Sequence, residues 1–300
     1  MVNSTDKPKK AMVAYSGRRE RLTAGHVIMV SILTLFCFTM LYPFYNLLIQ
    51  SFSKASDVIA ANGLMLIPRS IQLDAYEYMF RYPYLWESYR NTVTITVCGT
   101  AINMLMTTLG AYVLARRDLP GRSVLTTIVV ITMFVSGGMI PGYLNMRDLG
   151  LLNSLWALML PGAISTWNML LMRNFIMGIP QDLTEAARID GAGELRLVVS
   201  IILPLSMPII ATLTLFYGVG HWNAYSNVII YNSRPNLQTN QVIIRRMYET
   251  ATMDLEETIT PPMDAIRAAT VMFSTVPILC VYPFLQKYFA QGLMVGSVKG

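Results

Sequence analysis

Six stretches of this chain are each long and apolar enough to cross a lipid bilayer, and that constrains its fold more than any other feature. The hydrocarbon core takes roughly 20 residues of apolar helix. Residues 26–49, 91–115, 123–141, 154–175, 205–231 and 266–289 each supply such a run. Charged residues make up 13% of the 300 residues, against about 25% in a soluble domain. The expected fold class is all-α, a membrane protein of six transmembrane helices. The second run is less clean than the others because it carries Asn91 and Asn103.

The net charge of +6 would suit a nucleic-acid binder, but its distribution excludes that class. Lys7, Lys9, Lys10, Arg18, Arg19 and Arg21 precede the first run, and Arg116, Arg117 and Arg122 sit between the second and third. Basic residues in short loops mark the cytoplasmic side. With six spans both termini then lie in the cytoplasm, residues 1–25 form a basic tail, and residues 26–300 form one transmembrane domain. The first run is too long for a signal h-region and no small-x-small site follows it, so it reads as a retained helix. Segments 51–90 and 232–265 become long outer loops. The first is crowded with Tyr76, Tyr78, Phe80, Tyr82, Tyr84, Trp86 and Tyr89, either an interfacial belt or a docking surface for an outer partner. Cys37, Cys98 and Cys280 have no short spacing and read as small buried hydrophobes.

Between the fourth and fifth runs lies "EAARIDGAGELRLVVSIILP", from Glu185 to Pro204. Pro180 suits the first turn of a helix, and Asp182 and Glu185 suit its positive dipole end. Leu183, Ala186, Ala187 and Asp190 recur at helical spacing, which makes one face small. Gly191 stands where a left-handed C-cap belongs. A second helix is expected from Glu194, stopping at Pro204. An amphipathic helix resting on lipid would want Trp, Phe or Lys on its face. Alanine instead permits close approach by another protein, so the segment around 180–204 reads as a docking helix and a re-entry.

These residues carry a family likeness. Glu185-Ala186-Ala187, Gly191, Ile201, Leu203 and Pro204 match, at the same spacing, the E-A-A, G, I-x-L-P signature of ABC-importer permeases. "YVLARRDLPGR", "ILPLSMPIIATLTLF", "WNAY" and "YPFLQKYFAQGLMVGSVKG" resemble the carbohydrate subfamily, in particular the second membrane subunit of maltose- and multiple-sugar-type importers. The resemblance implies the type I importer permease fold. It also implies that Glu185, Ala186, Ala187, Asp190, Gly191, Ile201, Leu203 and Pro204 couple this chain to a separate cytoplasmic ATPase. The implied partners are a second homologous permease, two ATPase subunits that bind ATP and Mg, and an extracellular solute-binding protein. No cofactor is expected on this chain, and the solute is expected to be a sugar or oligosaccharide.

Other classes fit less well. A phosphate-cradling loop needs Gly followed by Lys, and the sequence holds no Gly-Lys pair. The two histidines, His26 and His221, form no metal pattern, and a neighbouring helix is expected to satisfy His221. An ion-coupled secondary transporter would need intramembrane acids, yet no Asp or Glu falls inside the six runs. "FYGVGHWNAYSN", from Phe216 to Asn227, places polar groups in the fifth run. Polar groups in hydrocarbon usually face a bundle interior or cavity. Trp222, Asn223, Tyr225 and Asn227 are therefore the candidate substrate-pathway residues, with Trp222 offering a face for a sugar ring.

Overall fold

The computed structural model describes residues 24–61, 65–68, 70–253 and 263–297. Most of the basic tail and the end of the second long loop fall outside them. Among the described residues the chain is helical, with one isolated β-bridge between Ser53 and Ile71. It divides into two compact units at Tyr45 and Asn46. In the first, residues 24–45 belong to the helix Ala24–Ser51, and its apolar side chains are exposed, as suits a lipid-facing helix.

Among the described residues three helices are long and apolar enough to span a membrane: Ala24–Ser51, Leu85–Ala115 and Asp264–Val281. A fourth candidate is a bent pair, Glu194–Leu205 and Met207–Trp222, which meet at 83°. The third and fourth apolar runs are interrupted. Helix Arg122–Ile131 ends before a non-helical stretch that closes at Gly138, whose φ of +85° only glycine adopts without strain. The fourth run breaks at Pro161 and resumes as Thr166–Met177. At 1.5 Å per residue those 12 residues reach about 18 Å, short of the roughly 30 Å core.

Two further expectations are corrected. Cys37, Cys98 and Cys280 are exposed, not buried; they sit on helix faces that the rest of the chain does not cover, where a small apolar side chain suits lipid. The segments read as loops are largely helical, because their apolar residues recur at i and i+4. Ala75 and Met79 from helix Asp74–Arg81 pack with Ile243 and Met247 from helix Asn240–Met253. Leu85, Ala265, Ile266 and Ala269 complete this buried cluster. Rings chain along its edge, Phe80 stacking on Trp86 at 5.6 Å and Tyr89 meeting Trp222 edge-on at 5.9 Å.

The polar residues of helix Leu85–Ala115 hold this cap in place. Asn91 donates its amide to the carbonyls of Asn236 and Gln238, at 2.8 and 3.1 Å. Thr92 accepts from the backbone of Asn240 at 2.8 Å. At the other end of the helix, the Leu114 carbonyl accepts from both Arg122 and Arg173, at 2.9 and 3.2 Å. Two cations at a helix C-terminus complement its dipole, and here they also gather three helix ends at one point.

Candidate functional site

The segment around 180–204, read from the sequence as a docking helix and a re-entry, folds as a short helix, a tight elbow and a second helix. Pro180 precedes the helix Gln181–Ile189 as its N-terminal flank, one position earlier than the sequence suggests. At the far end the Ala192 amide donates to the Ala187 carbonyl at 2.9 Å, and the Gly191 amide to Arg188 at 3.0 Å. Those two bonds are the Schellman pattern, which needs a left-handed residue at its corner. Gly191, with φ +79°, is that residue.

No residue of Gln181–Ile189 is buried. Glu185, Ala186 and Asp190 are exposed, and Ala187 is half-buried. The bulkiest apolar surface is Ile189, 86% exposed, with Leu195 just beyond the elbow at 77%. Sequence reasoning passed over both, because the small alanine face drew attention away from the helix end. Ile189, Leu195 and the exposed Ala186 leave an apolar patch open on this side of the segment.

Glu194 opens the second helix, and four side chains converge around it. Its Oε1 pairs with Arg188 Nη2 of the docking helix and with Arg116 Nη1, each at 3.2 Å. Its Oε2 accepts a short hydrogen bond from the Tyr112 hydroxyl. Arg116 also makes a two-point contact with Asp118, at 2.5 and 3.1 Å. That contact holds the Asp118 carboxyl down to about 2 and raises the Arg116 guanidinium above its ordinary value. Of these five residues the sequence singles out only Arg116, as an inside charge, and Glu194, as a helix start; the separation of Tyr112 and Arg116 from Arg188 and Glu194 along the chain hid the cluster.

Beyond Glu194 the helix widens into a π-helical turn, Val198–Ile202, a feature often found at functional positions. Ile201 and Leu203 are half-buried and Pro204 is exposed. Pro204 does not stop the helix. Its missing N–H falls after the widened turn, where the regular bonding is already displaced. The chain turns two residues later at Ser206, whose amide donates to the Ile202 and Leu203 carbonyls at 2.9 and 3.1 Å.

The fifth run breaks where the candidate pathway residues cluster. Helix Met207–Trp222 ends, residues 223–225 are irregular, and a short helix Ser226–Tyr231 follows. A cavity of about 310 Å³ opens at the break. Tyr225 and Asn227 line it, together with Asn103, Tyr217 and His221. Trp222 and Asn223 do not. Trp222 is buried and donates its indole N–H to the Ser274 carbonyl at 3.1 Å. Asn223 donates back to Val219 at 3.0 Å, on an exposed face. Tyr225 also carries the Arg245 guanidinium over its ring, 5.5 Å from the centroid.

Neighbouring helices satisfy the polar wall of this cavity. His221 Nε2 lies 2.6 Å from Asn103 Oδ1, and Asn103 donates to the Gly162 carbonyl at 2.5 Å. The imidazole fits only because residue 99 is glycine: a Cβ there would stand 2.6 Å from Nε2. Tyr217 shares a 2.7 Å hydrogen bond with Thr107 and accepts from the Ser165 amide at 3.1 Å. Asn103 and Tyr217 were missed as cavity residues because nothing local in the sequence brings residue 103 to residue 221.

Residues 107–295 match the family model described as binding-protein-dependent transport system inner membrane component. The chain belongs to that family. Among curated relatives, it is 40% identical to the polygalacturonan/rhamnogalacturonan transport system permease protein YtcP of Bacillus subtilis, over 91% of this chain and 98% of the relative. It is 30% identical to the arabinooligosaccharides transport system permease protein AraQ of Halalkalibacterium halodurans, over 88% of this chain and 92% of the relative. Among solved structures it resembles a chain of a bacterial ABC transporter involved in the import of the acidic polysaccharide alginate. There the TM-score is 0.80 and the identity 31%, over 88% of this chain and 95% of that one. This chain is accordingly a membrane-embedded permease subunit of an ABC importer.

Proposed function

We propose that this permease subunit forms half of the translocation pathway for a sugar or oligosaccharide that an extracellular binding protein delivers. A second, homologous permease supplies the other half, and two ATPase subunits, holding ATP and Mg, drive the cycle from the cytoplasm. ATP hydrolysis belongs to those partners. The observation that carries the reading is the elbow at Gly191, which presents an uncovered helix with Glu185 and Ala186 on a fixed turn. The curated relatives are named for the transport of polygalacturonan/rhamnogalacturonan and of arabinooligosaccharides, which supports the substrate class.

In this reading the helices cross the membrane six times, with three spans made of broken helices, and both termini face the cytoplasm. Broken helices in transporters place irregular backbone where it lines a cavity, and the 310 Å³ space beside Tyr225 and Asn227 is such a place. Ser56 and Ser233 are exposed on the outer cap and Arg117 on the short basic loop. Cysteines placed at Ser56 and Ser233 should react with an impermeant maleimide added outside intact cells. One at Arg117 should react only after the membrane is opened. The reverse pattern at any of the three overturns the topology.

Reconstitution tests the function. Proteoliposomes holding both permeases and the ATPases, with binding protein outside and ATP inside, should accumulate a labelled galacturonate oligosaccharide or arabino-oligosaccharide. The purified chain alone should hydrolyse no ATP and move neither sugar. Uptake by the single polypeptide would overturn the shared-pathway reading.

A further inference from the structure

The docking helix is poorly anchored by packing, since none of its residues is buried. The Schellman elbow and the ion pair of Arg188 with Glu194 are two of its attachments to the rest of the chain. The elbow joins it to the helix that follows. Through Glu194 it also reaches the end of helix Leu85–Ala115. Arg188 comes from the docking helix, Glu194 from the next helix, and Tyr112 and Arg116 from the end of Leu85–Ala115. One carboxylate thus ties three elements.

We propose that Glu194 is a positioning residue for coupling, the joint through which a displacement of the docking helix is passed to helix Leu85–Ala115. The inference rests on the docking reading above. Its chemistry suits a joint that must open and close. Exposed ion pairs are individually weak, so each bond can break within a transport cycle, while two guanidiniums and a phenol sharing one carboxylate keep the set in register. The Asp118 contact serves this arrangement: by engaging Nε and Nη2 of Arg116, it leaves Nη1 directed at Glu194. Packed apolar side chains would be a poorer hinge here, because this surface is partly exposed, with Arg116, Arg188 and Glu194 side chains 31%, 42% and 49% accessible.

The test uses the whole importer in nanodiscs, with spin labels on cysteines at Gln181 and Arg117, both exposed positions. Their separation is read without nucleotide and after trapping with ATP and vanadate. With Glu194 present the distribution should be narrow in both states. Glu194→Gln should widen it about twofold and lower oligosaccharide uptake per ATP hydrolysed by about 5- to 10-fold, the lower range of ordinary coupling between sites. Arg188→Gln should act in the same direction, and the double variant should be no worse than Glu194→Gln alone, since both remove one shared contact. An additive double variant, or a distribution unchanged by Glu194→Gln, overturns the proposal. Cross-linking of Ile189→Cys to the ATPase reports the docking reading separately. With that cross-link intact and the distribution unchanged, the joint fails while docking stands; a widened distribution without the cross-link keeps the joint and removes docking.

Discussion

Gly191→Pro is expected to abolish uptake by the assembled importer while leaving the chain inserted in the membrane. Proline cannot adopt a φ of +79° and has no amide to donate to Arg188. At about 3 kcal/mol or more for such a misfit, the native elbow would be populated less than about one part in a hundred. Conformation can be separated from contact at this position, because a Cβ on residue 191 would meet nothing within 4 Å. Asparagine tolerates the left-handed region better than alanine does. Uptake should therefore fall in the order Gly, Asn, Ala, Pro. Glu185→Lys is the companion change. It leaves the elbow alone and reverses a charge on the exposed docking face, and it should lower copurification of the ATPase together with uptake. Normal uptake in both Gly191→Pro and Glu185→Lys would remove the docking reading. An Ala variant more active than the Asn variant would show that backbone handedness is not what matters at Gly191.

How much of this was legible in the sequence differs from part to part. The membrane class and the Gly191 corner were, because both are local: an apolar run, and a glycine after a helical face. Helix ends inside the apolar runs were not. Hydropathy averages over Gly137, Gly138 and Pro161, although these interrupt two of the six runs. The helical cap around Met79 and Met247 was hidden for the opposite reason. Ala75 with Met79, and Ile243 with Met247, are apolar pairs in otherwise polar segments, so the average was low while the i, i+4 spacing was helical. The Glu194 cluster and the His221–Asn103 contact lie beyond any local pattern. Their partners are 6 to 118 residues apart, and only the packing of the helices brings them together.

The same packing divides the four residues first picked for the pathway, and the division gives a second large expected effect. Tyr225 and Asn227 open onto the cavity at the broken span. Tyr225→Ala and Asn227→Leu should reduce oligosaccharide uptake about tenfold or more, with basal ATP hydrolysis of the assembled complex retained. The lost groups are the aromatic face and the amide that a sugar would meet there, and unpaired polar partners are costly in a desolvated site. Trp222 should behave differently. Its indole is buried, bonded to the Ser274 carbonyl and packed edge-on against Tyr89. Truncating a buried tryptophan costs about 3–5 kcal/mol through the void it leaves. Trp222→Ala should thus lower the amount of assembled complex, and uptake with it, leaving uptake per complex nearly unchanged. Asn223→Leu, on an exposed face with its amide turned back to Val219, should change neither. Measuring uptake per assembled complex for all four variants decides the matter. If Trp222→Ala selectively removes uptake per complex while Tyr225→Ala and Asn227→Leu leave it intact, the sugar passes by the indole face and the cavity is packing.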